Sequence, residues 1–263
     1  MRQALAALVL FGAGAPLQAQ DTVFFTPSDR VAVREMRAVP AIELAPRIRV
    51  RTVVGTTGSF SLADFDSGGT AVLHHHTREQ ADVGLTGAFD MTIGSHVEVL
   101  GPGSGVILPP NVSHSIANTR GGVMTLIEFH TVRRLDVVPP RPAMTFPSSP
   151  EPIAVPNGRE LITRLDGSDS RSDISPTIIG DTCTLRWRRV MRGAPAVDVH
   201  PDSTRAEVFL YIVRGDAELT GASITRRVSA GSLIVIPAGE RHVRLRSVGD
   251  GDVGIAEFVA AHH

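Results

Sequence analysis

Three histidines in the first half of the chain have the residue type and spacing that a metal site requires. His74 and His76 are two positions apart, so on a β-strand both side chains point to the same side. His114 follows a turn that contains Pro109, and we expect it at the start of a neighbouring strand. A third imidazole there completes a ligand set for a divalent transition metal, and iron, manganese, nickel, copper and zinc all accept imidazole. The sequence therefore predicts one such cofactor.

The fourth ligand position is open to two interpretations. Gln80 lies on the inward side of the next strand and would offer a neutral oxygen, which binds a dication less strongly than a carboxylate. Glu79 should point outward by strand alternation, but a β-bulge would bring it inward. Asp82 shares the face of Gln80 and would act as a general base, orient a ligand or remain an ordinary solvated aspartate. The candidate catalytic residues are Gln80, Glu79 and Asp82, and the candidate metal ligands are His74, His76, Gln80 and His114.

The second half of the chain offers a weaker candidate metal site. Its members are His200, Asp202, Glu207 and His242. The position that corresponds to Gln80 is Val208. Without a bulge, strand alternation fills this half with apolar side chains, namely Val208, Leu210 and Ile212. A bulge would instead turn Glu207 inward and complete a site of two histidines and two carboxylates. Alternation favours the apolar interior, in which this half is a structural or dimerising partner.

A spacing that occurs twice indicates which elements position these residues. In both halves a glycine precedes a histidine by 27 positions, and a second glycine and a proline recur between them at matching offsets. The matched residues are Gly87, Gly103, Pro109 and His114 in the first half and Gly215, Gly231, Pro237 and His242 in the second. Repetition at a fixed offset predicts two copies of one small domain.

Composition and length fit an all-β chain of two domains. The 263 residues contain 25 glycines and 18 prolines among short apolar runs, which favours many short strands joined by turns. Residues 135–156 hold seven prolines and predict an extended linker. We therefore expect an N-terminal domain over 20–134 and a C-terminal domain over 157–263. The single cysteine, Cys183, excludes an internal disulfide and is interpreted as a small buried hydrophobe.

The first 19 residues have the pattern of a secretory signal peptide. Arg2 supplies a positive charge, residues 4–11 form an apolar segment, and Ala19 ends a plausible cleavage site. The pattern predicts export to the periplasm or out of the cell, with no membrane attachment once residues 1–19 are removed. The net charge of −1, with dispersed lysines and arginines, does not indicate a basic surface that would bind nucleic acid.

The spacing of glycines, histidines and prolines resembles the cupin superfamily, in particular its two-domain bicupins. The first motif of that family, G-x5-H-x-H-x3,4-E-x6-G, is matched by Gly68, His74, His76, Gln80 and Gly87, with Gln80 in place of the acid. The second motif, G-x5-P-x-G-x2-H-x3-N, is matched by Gly103, Pro109, Asn111, His114 and Asn118, with Asn111 in place of the glycine. In the second half, the second motif is present as Gly231, Pro237, Gly239 and His242, whereas the first motif is damaged. The resemblance implies two tandem cupin barrels, that is, double-stranded β-helices of the jelly-roll type.

The resemblance also implies a function. We interpret the chain as an exported, metal-dependent oxidoreductase of the dioxygenase type, whose N-terminal barrel binds a small oxygen-chelating organic substrate. Isomerase, lyase and decarboxylase chemistry stay open because similar ligands support all of them. A non-catalytic small-molecule-binding or structural bicupin stays open too. One tryptophan and one tyrosine in the whole chain favour a small substrate over a large planar one. Formation of a homodimer is a further expectation from the resemblance.

Overall fold

The computed structural model describes residues 23–27, 29–131, 162–164, 176–200 and 206–261. Over these ranges the prediction of an all-β chain is confirmed, since one turn of 3-10 helix, Met36–Ala38, accompanies 22 strands. No helix in the described ranges is long and apolar enough to span a membrane. The predicted signal peptide and the proline-rich linker lie outside the described residues.

The strands divide into two groups along the chain. Those up to residue 131 are β1 (Val23–Phe25), β2 (Ala32–Glu35), β3 (Ile42–Ala45), β4 (Ile48–Val54), β5 (Gly58–Phe65), β6 (Thr70–His74), β7 (Gln80–Thr86), β8 (Phe89–Ile93), β9 (His96–Leu100), β10 (Ser104–Leu108), β11 (His114–Ala117) and β12 (Met124–Thr131). Those after it are β13 (Ile162–Arg164), β14 (Thr177–Ile179), β15 (Cys183–Val190), β16 (Val197–Asp198), β17 (Ala206–Arg214), β18 (Asp216–Gly221), β19 (Ile224–Ser229), β20 (Ser232–Ile236), β21 (Arg244–Ser247) and β22 (Val253–Ala261).

The two groups build two jelly-roll barrels, each from a larger and a smaller sheet. In the N-terminal barrel the larger sheet has the order β1-β4-β5-β12-β7-β10-β13, with β3 paired to β4, and the smaller has β6-β11-β8-β9. In the C-terminal barrel the orders are β14-β15-β22-β17-β20-β2 and β16-β21-β18-β19. Apolar side chains from both sheets of a barrel meet in its interior. The predicted fold of two tandem barrels is confirmed.

The turns that follow β10 and β20 show why the sequence repeats a proline there. The third residue of each turn is left-handed, with φ of 64° at Asn111 and 85° at Gly239. Asparagine and glycine tolerate this conformation, so the chain can reverse toward the barrel. His114 then begins β11, as the sequence predicts. The corresponding His242 is itself left-handed, with φ of 66°, and precedes β21.

Each barrel receives one strand from the other half of the chain. β2 pairs antiparallel with β20 of the C-terminal barrel, which places Ala32 opposite Val235. β13 pairs antiparallel with β10 of the N-terminal barrel, which places Arg164 opposite Ser104. Both strands cover a sheet edge that would otherwise expose unpaired backbone groups. The exchange crosses the domain boundaries that the sequence predicts.

An aromatic core joins the outer faces of the two larger sheets. Phe129 of β12 stacks on Phe258 of β22 with ring centroids 5.1 Å apart, and it meets Phe209 of β17 at 5.0 Å. Phe60 of β5 contacts Tyr211 of β17 at 5.5 Å. The four phenylalanines are fully buried, and burial of each contributes about 1.5–3 kcal/mol. The barrels therefore share one hydrophobic core in addition to their own interiors.

A buried glutamate ties the N-terminal barrel to the C-terminal barrel. Glu79 lies immediately before β7, and its carboxylate accepts hydrogen bonds of 2.5–2.9 Å from the backbone N–H groups of Asp181, Thr182 and Cys183 and from the Thr182 hydroxyl. Burial and the negative charge of Glu79 raise the pKa of the Cys183 thiol, which agrees with the prediction of a buried, unreactive cysteine. We call this contact, and its counterpart at Glu207, the glutamate clamps.

The second clamp joins a glutamate of the C-terminal barrel to the N-terminal barrel. Glu207 of β17 accepts hydrogen bonds of 2.8–3.0 Å from the backbone N–H groups of Thr56 and Thr57 and from the Thr57 hydroxyl. A Cβ atom at Gly55 would come within 2.4 Å of this carboxylate, and one at Gly180 within 2.4 Å of the carboxylate of the other clamp. Glycine is therefore the residue that lets each loop approach its glutamate. Each barrel therefore contributes one carboxylate, which the backbone of the other barrel binds.

The clamp at Glu79 has a measurable effect on stability. Glu79→Gln would place an amide group against backbone N–H donors, so we expect the free energy of unfolding to fall by about 1–3 kcal/mol. Urea denaturation of the purified chain measures the change. Glu98→Gln is the matched control, because the side chain of Glu98 lies on the outer strand β9 and is 34% exposed. A loss for Glu79→Gln no larger than that of the control contradicts the stabilising role.

Candidate metal centre

Three histidines converge on one point of the N-terminal barrel. His74 ends β6, His114 begins β11, and the two residues are opposite each other in the paired strands. The ring centroids lie 4.8 Å apart for His74 and His76, 4.4 Å for His74 and His114, and 5.4 Å for His76 and His114. One ring nitrogen of each residue lies within 4.8 Å of the others. The structure therefore brings together the three imidazoles that the sequence predicts.

Backbone carbonyl groups fix the proton on two of these rings. His74 Nδ1 lies 2.6 Å from the carbonyl oxygen of Val72, and His114 Nδ1 lies 2.9 Å from that of Val112. A carbonyl oxygen only accepts hydrogen bonds, so Nδ1 donates in both rings and Nε2 carries the lone pair. Metal-binding histidines characteristically have such a second hydrogen bond, which orients the ring.

Burial keeps two of the imidazoles uncharged. It lowers the pKa of His76 to about 2, and the charges of His130 and His74 act in the same direction. Burial also lowers the pKa of His114 to about 4, and His74 adds to this shift. Both rings are therefore neutral at physiological pH, which is the state that binds a metal ion.

Gln80 faces the same point from β7. Its Oε1 lies 3.1 Å from His114 Nε2, while its Nε2 donates to the two carboxylate oxygens of Asp82 at 3.0 and 3.1 Å. The side chains of Gln80, Asp82 and His114 are all buried. Asp82 thus orients the amide so that the carbonyl oxygen, and not the NH2 group, points at the histidines.

The donor chemistry of these residues fits a divalent metal ion. The lone pair of His114 Nε2 faces the carbonyl oxygen of Gln80, and two acceptors this close repel each other unless a cation lies beside both. The 3.1 Å separation is short enough for one ion to contact both atoms, since bonds from a metal to nitrogen or oxygen are about 2.0–2.2 Å. The ion would be held by three imidazole nitrogens of His74, His76 and His114 and by the amide oxygen of Gln80.

Two carboxyl groups adjoin this set of neutral donors. Asp82 is buried and lies opposite Glu128 of β12 in the paired strands. Burial and the charge of Glu128 raise the pKa of Asp82 well above its usual value. Burial alone would raise the pKa of Glu128 as well, but the charge and hydrogen bond of His130 outweigh it and lower that pKa. The site therefore has a negative charge next to donors that carry none.

The structure corrects the alternative role of Glu79. Its carboxylate is bound into the clamp with Asp181, Thr182 and Cys183 and does not join the histidines. No bulge turns it inward, because four hydrogen bonds to the opposite barrel hold it on the outer face. Gln80, the next residue, consequently takes the inward position.

The weaker candidate site in the C-terminal barrel is not assembled. Glu207 is bound into the second clamp, and His242 is exposed while Val243 takes the inward position. Asp202 lies outside the described residues. Among the residues that the structure does describe, the three N-terminal histidines are the one group with metal-ligand spacing, and His200 is not part of it.

The interior of the C-terminal barrel is apolar, as unbroken strand alternation predicts. Val208, Leu210 and Ile212 are fully buried in its core. Val208 is the counterpart of Gln80, so the position that offers an oxygen donor in one barrel offers hydrocarbon in the other. A metal site with the N-terminal arrangement is therefore absent from the described part of this barrel.

Two residues beside the histidines were not predicted from the sequence. His130 Nε2 lies 2.5 Å from Glu128 Oε1, and the His130 ring packs edge-on against His76 with centroids 4.9 Å apart. Two residues apart on β12, Glu128 and His130 point to the same side of the strand. The sequence did contain one indication of this pair, because Glu128 and His130 have the same i, i+2 spacing as His74 and His76.

Comparisons with known proteins agree with this fold. Residues 61–130 match the family described as Cupin domain, and they contain all four candidate metal ligands. A comparison with curated protein sequences finds no match. Both the family match and the fold confirm the resemblance that the two motifs predict.

Solved structures with the same two-barrel fold come from proteins of different kinds. A mutant of the oxalate decarboxylase of Bacillus subtilis has a TM-score of 0.65 at 15% identity, with 92% of this chain and 80% of that chain covered. Protein Ylba from E. coli has a TM-score of 0.68 at 10% identity, covering 89% and 92%. Procruciferin, an 11S globulin from Brassica napus, has a TM-score of 0.67 at 12% identity, covering 89% and 84%. At these identities the likeness shows the fold.

The two barrels should differ in metal content. We expect about one equivalent of a divalent transition metal per chain, lost in His114→Ala because the remaining donors no longer surround the ion. His242→Ala is the matched control, since His242 occupies the same motif position but is exposed. Elemental analysis of the purified proteins measures both. Equal metal loss in the two variants, or two metals per chain, contradicts the assignment to the N-terminal barrel.

Proposed function

Because this chain has the bicupin fold, with a cupin domain over residues 61–130, we propose that its N-terminal barrel is the active site of a metal-dependent enzyme. The observation that supports this proposal is the convergence of His74, His76 and His114 with the amide oxygen of Gln80. The C-terminal barrel, with its apolar interior, serves as a structural partner that completes the shared core and the clamps.

Each residue of the proposed site has a distinct role. His74, His76, His114 and Gln80 would hold a divalent transition metal, which supplies a Lewis acid with coordination positions for an oxygen-chelating substrate and dioxygen. The backbone carbonyl groups of Val72 and Val112 orient two of the rings. Asp82 orients Gln80 and, with its raised pKa, is suited to hold or move a proton at its carboxyl oxygens.

The reaction that we propose is oxidation of a small oxygen-chelating organic compound by dioxygen. Three imidazoles with a weak fourth donor leave room on the metal for both reactants. A second candidate is a redox-neutral reaction, such as decarboxylation or isomerisation. It is favoured by two carboxyl groups next to the metal ligands, Asp82 with a raised pKa and Glu128 with a lowered one, since such reactions depend on proton transfer. Oxygen consumption separates the two candidates.

An oxygen-electrode screen tests the proposed reaction. With iron-loaded protein and a panel of 2-hydroxy acids, 2-oxo acids and catechols, we expect at least one compound to be consumed together with oxygen. His114→Ala should abolish this uptake, and His242→Ala should leave the rate unchanged. Product formation without oxygen uptake would support the redox-neutral candidate instead. Turnover that persists in His114→Ala would contradict any role for the metal site.

We also propose that the protein is exported and acts in the periplasm or outside the cell. The support is the charged, apolar and small-residue pattern of residues 1–19. N-terminal sequencing of protein from the periplasmic fraction of a bacterial host should give Gln20 as the first residue. Retention of Met1 in cytoplasmic protein would contradict the proposal. Arg2→Glu is the matched test variant, since loss of the positive charge should reduce export.

A further inference from the structure

One side of the N-terminal barrel carries a row of polar side chains next to the metal ligands. Glu128 and His130 of β12 lie opposite Asp82 and Gln80 of β7 in the paired strands. On the other side of β12, they lie opposite Ser61 and Ser59 of β5. All these residues point to the same face of the sheet, because paired residues in neighbouring strands share a face. We call this row the polar wall; it lies next to the histidines.

Glu128 and His130 form a connected pair within this wall. The Glu128 carboxylate accepts a 2.5 Å hydrogen bond from His130 Nε2, so this ring nitrogen carries a proton. The other ring nitrogen, Nδ1, is then left for a further hydrogen bond. No contact of Nδ1 is found among the described residues. The side chains keep 16% exposure at His130 and 27% at Glu128, so solvent reaches both.

The pair is adjacent to the proposed metal site through His76. The rings of His130 and His76 are nearly perpendicular, at 82°, with centroids 4.9 Å apart. A molecule that coordinates a metal ion held by His76 therefore has His130 as a neighbour. Neither His130 nor Glu128 is needed to explain how the three histidines and Gln80 are oriented.

The corresponding carboxylate of the C-terminal barrel has different partners. Glu257 of β22 contacts Arg186 Nη1 and Arg188 Nη2 at 3.1 Å each. Its charge is therefore balanced by two arginines of the same sheet, and no imidazole takes part. At the matching places of β5 the N-terminal barrel has the small residues Ser61 and Ala63 and no guanidinium group.

We propose that Glu128 and His130 form a recognition site for a hydroxyl group of the substrate, which deepens and rests on the proposed function. The wall next to the metal ligands presents the carboxyl groups of Glu128 and Asp82 and the Nδ1 atom of His130. A hydroxyl group both donates and accepts hydrogen bonds, so a hydroxyl group of a ligand beside the histidines can pair with the carboxyl groups and with His130 Nδ1. The substrate class is a small compound with a carboxylate or carbonyl oxygen and an adjacent hydroxyl, as in a 2-hydroxy acid. Glu128 is the positioning residue that orients His130.

Binding of two small acids to the cobalt-loaded full chain tests this inference without any need for turnover. Glycolate and acetate carry the same charge and differ by one hydroxyl group. Isothermal titration calorimetry gives the affinity of each, and the visible spectrum of Co²⁺ reports whether the metal site is intact. The variants are His130→Phe, which keeps a ring against His76 but removes both nitrogens, and Glu128→Gln, which removes the charge. The matched control is His96→Phe on β9, where His96 contacts Glu98 at 3.1 Å on the outer sheet.

We expect His130→Phe to lower the affinity for glycolate about tenfold, which corresponds to the loss of one hydrogen bond of about 1.4 kcal/mol. The affinity for acetate and the Co²⁺ spectrum should stay as in the wild type. Glu128→Gln should lower glycolate affinity in the same direction, which covers the case in which His130→Phe does not fold. His96→Phe should change neither acid.

The outcomes separate this inference from the proposed function. If Co²⁺ binds and His130→Phe and Glu128→Gln hold glycolate as tightly as the wild type does, the hydroxyl site is wrong and the metal site stands. An equal loss of glycolate and acetate affinity also overturns the inference, because it would show a general effect on the metal and not recognition of a hydroxyl. If Co²⁺ does not bind the wild type, both proposals fall together.

Discussion

The arrangement of the N-terminal barrel depends on one constraint at the start of β7, namely that consecutive residues of a strand point to opposite faces. Glu79 is held on the outer face by four hydrogen bonds from the opposite barrel. Gln80 must therefore point inward, where its oxygen meets His114 and its amide group meets Asp82. The contact that joins the barrels thus also sets which side chain faces the metal ligands.

The C-terminal barrel obeys the same constraint with a different result. Glu207 is held by the backbone of Thr56 and Thr57, so Val208 must point inward, where it packs in an apolar core. His242 also differs from its counterpart His114, because it is exposed and left-handed while Val243 occupies the interior in its place. Two barrels of the same fold, joined by equivalent clamps, therefore differ in chemistry because a few inward residues differ. This agrees with the view that a fold positions a site but does not choose its function.

The sequence predicted the fold and the three histidines because both depend on local rules, namely turn residues at fixed offsets and strand alternation. Alternation also correctly placed Gln80 inward. The clamp partners could not be predicted, since Glu79 and Asp181 are 102 positions apart and meet only through packing of the barrels. One signal for the clamps was available, since a glutamate occurs eight positions before both Gly87 and Gly215. Strand alternation places these glutamates on the outer face but does not identify the groups that bind them. The pairing of His130 with Glu128 and its contact with His76 likewise depend on the register of β12 against β7, which no local pattern specifies.

We propose that the N-terminal barrel, and not the C-terminal barrel, holds a transition metal through three imidazoles and the amide oxygen of Gln80. An anomalous difference map from a cobalt-soaked crystal of the full chain tests it most directly. We expect one peak, about 2 Å from the Nε2 atoms of His74 and His114, from one ring nitrogen of His76 and from Gln80 Oε1. A peak in the C-terminal barrel, or no peak between the three histidines, would contradict it.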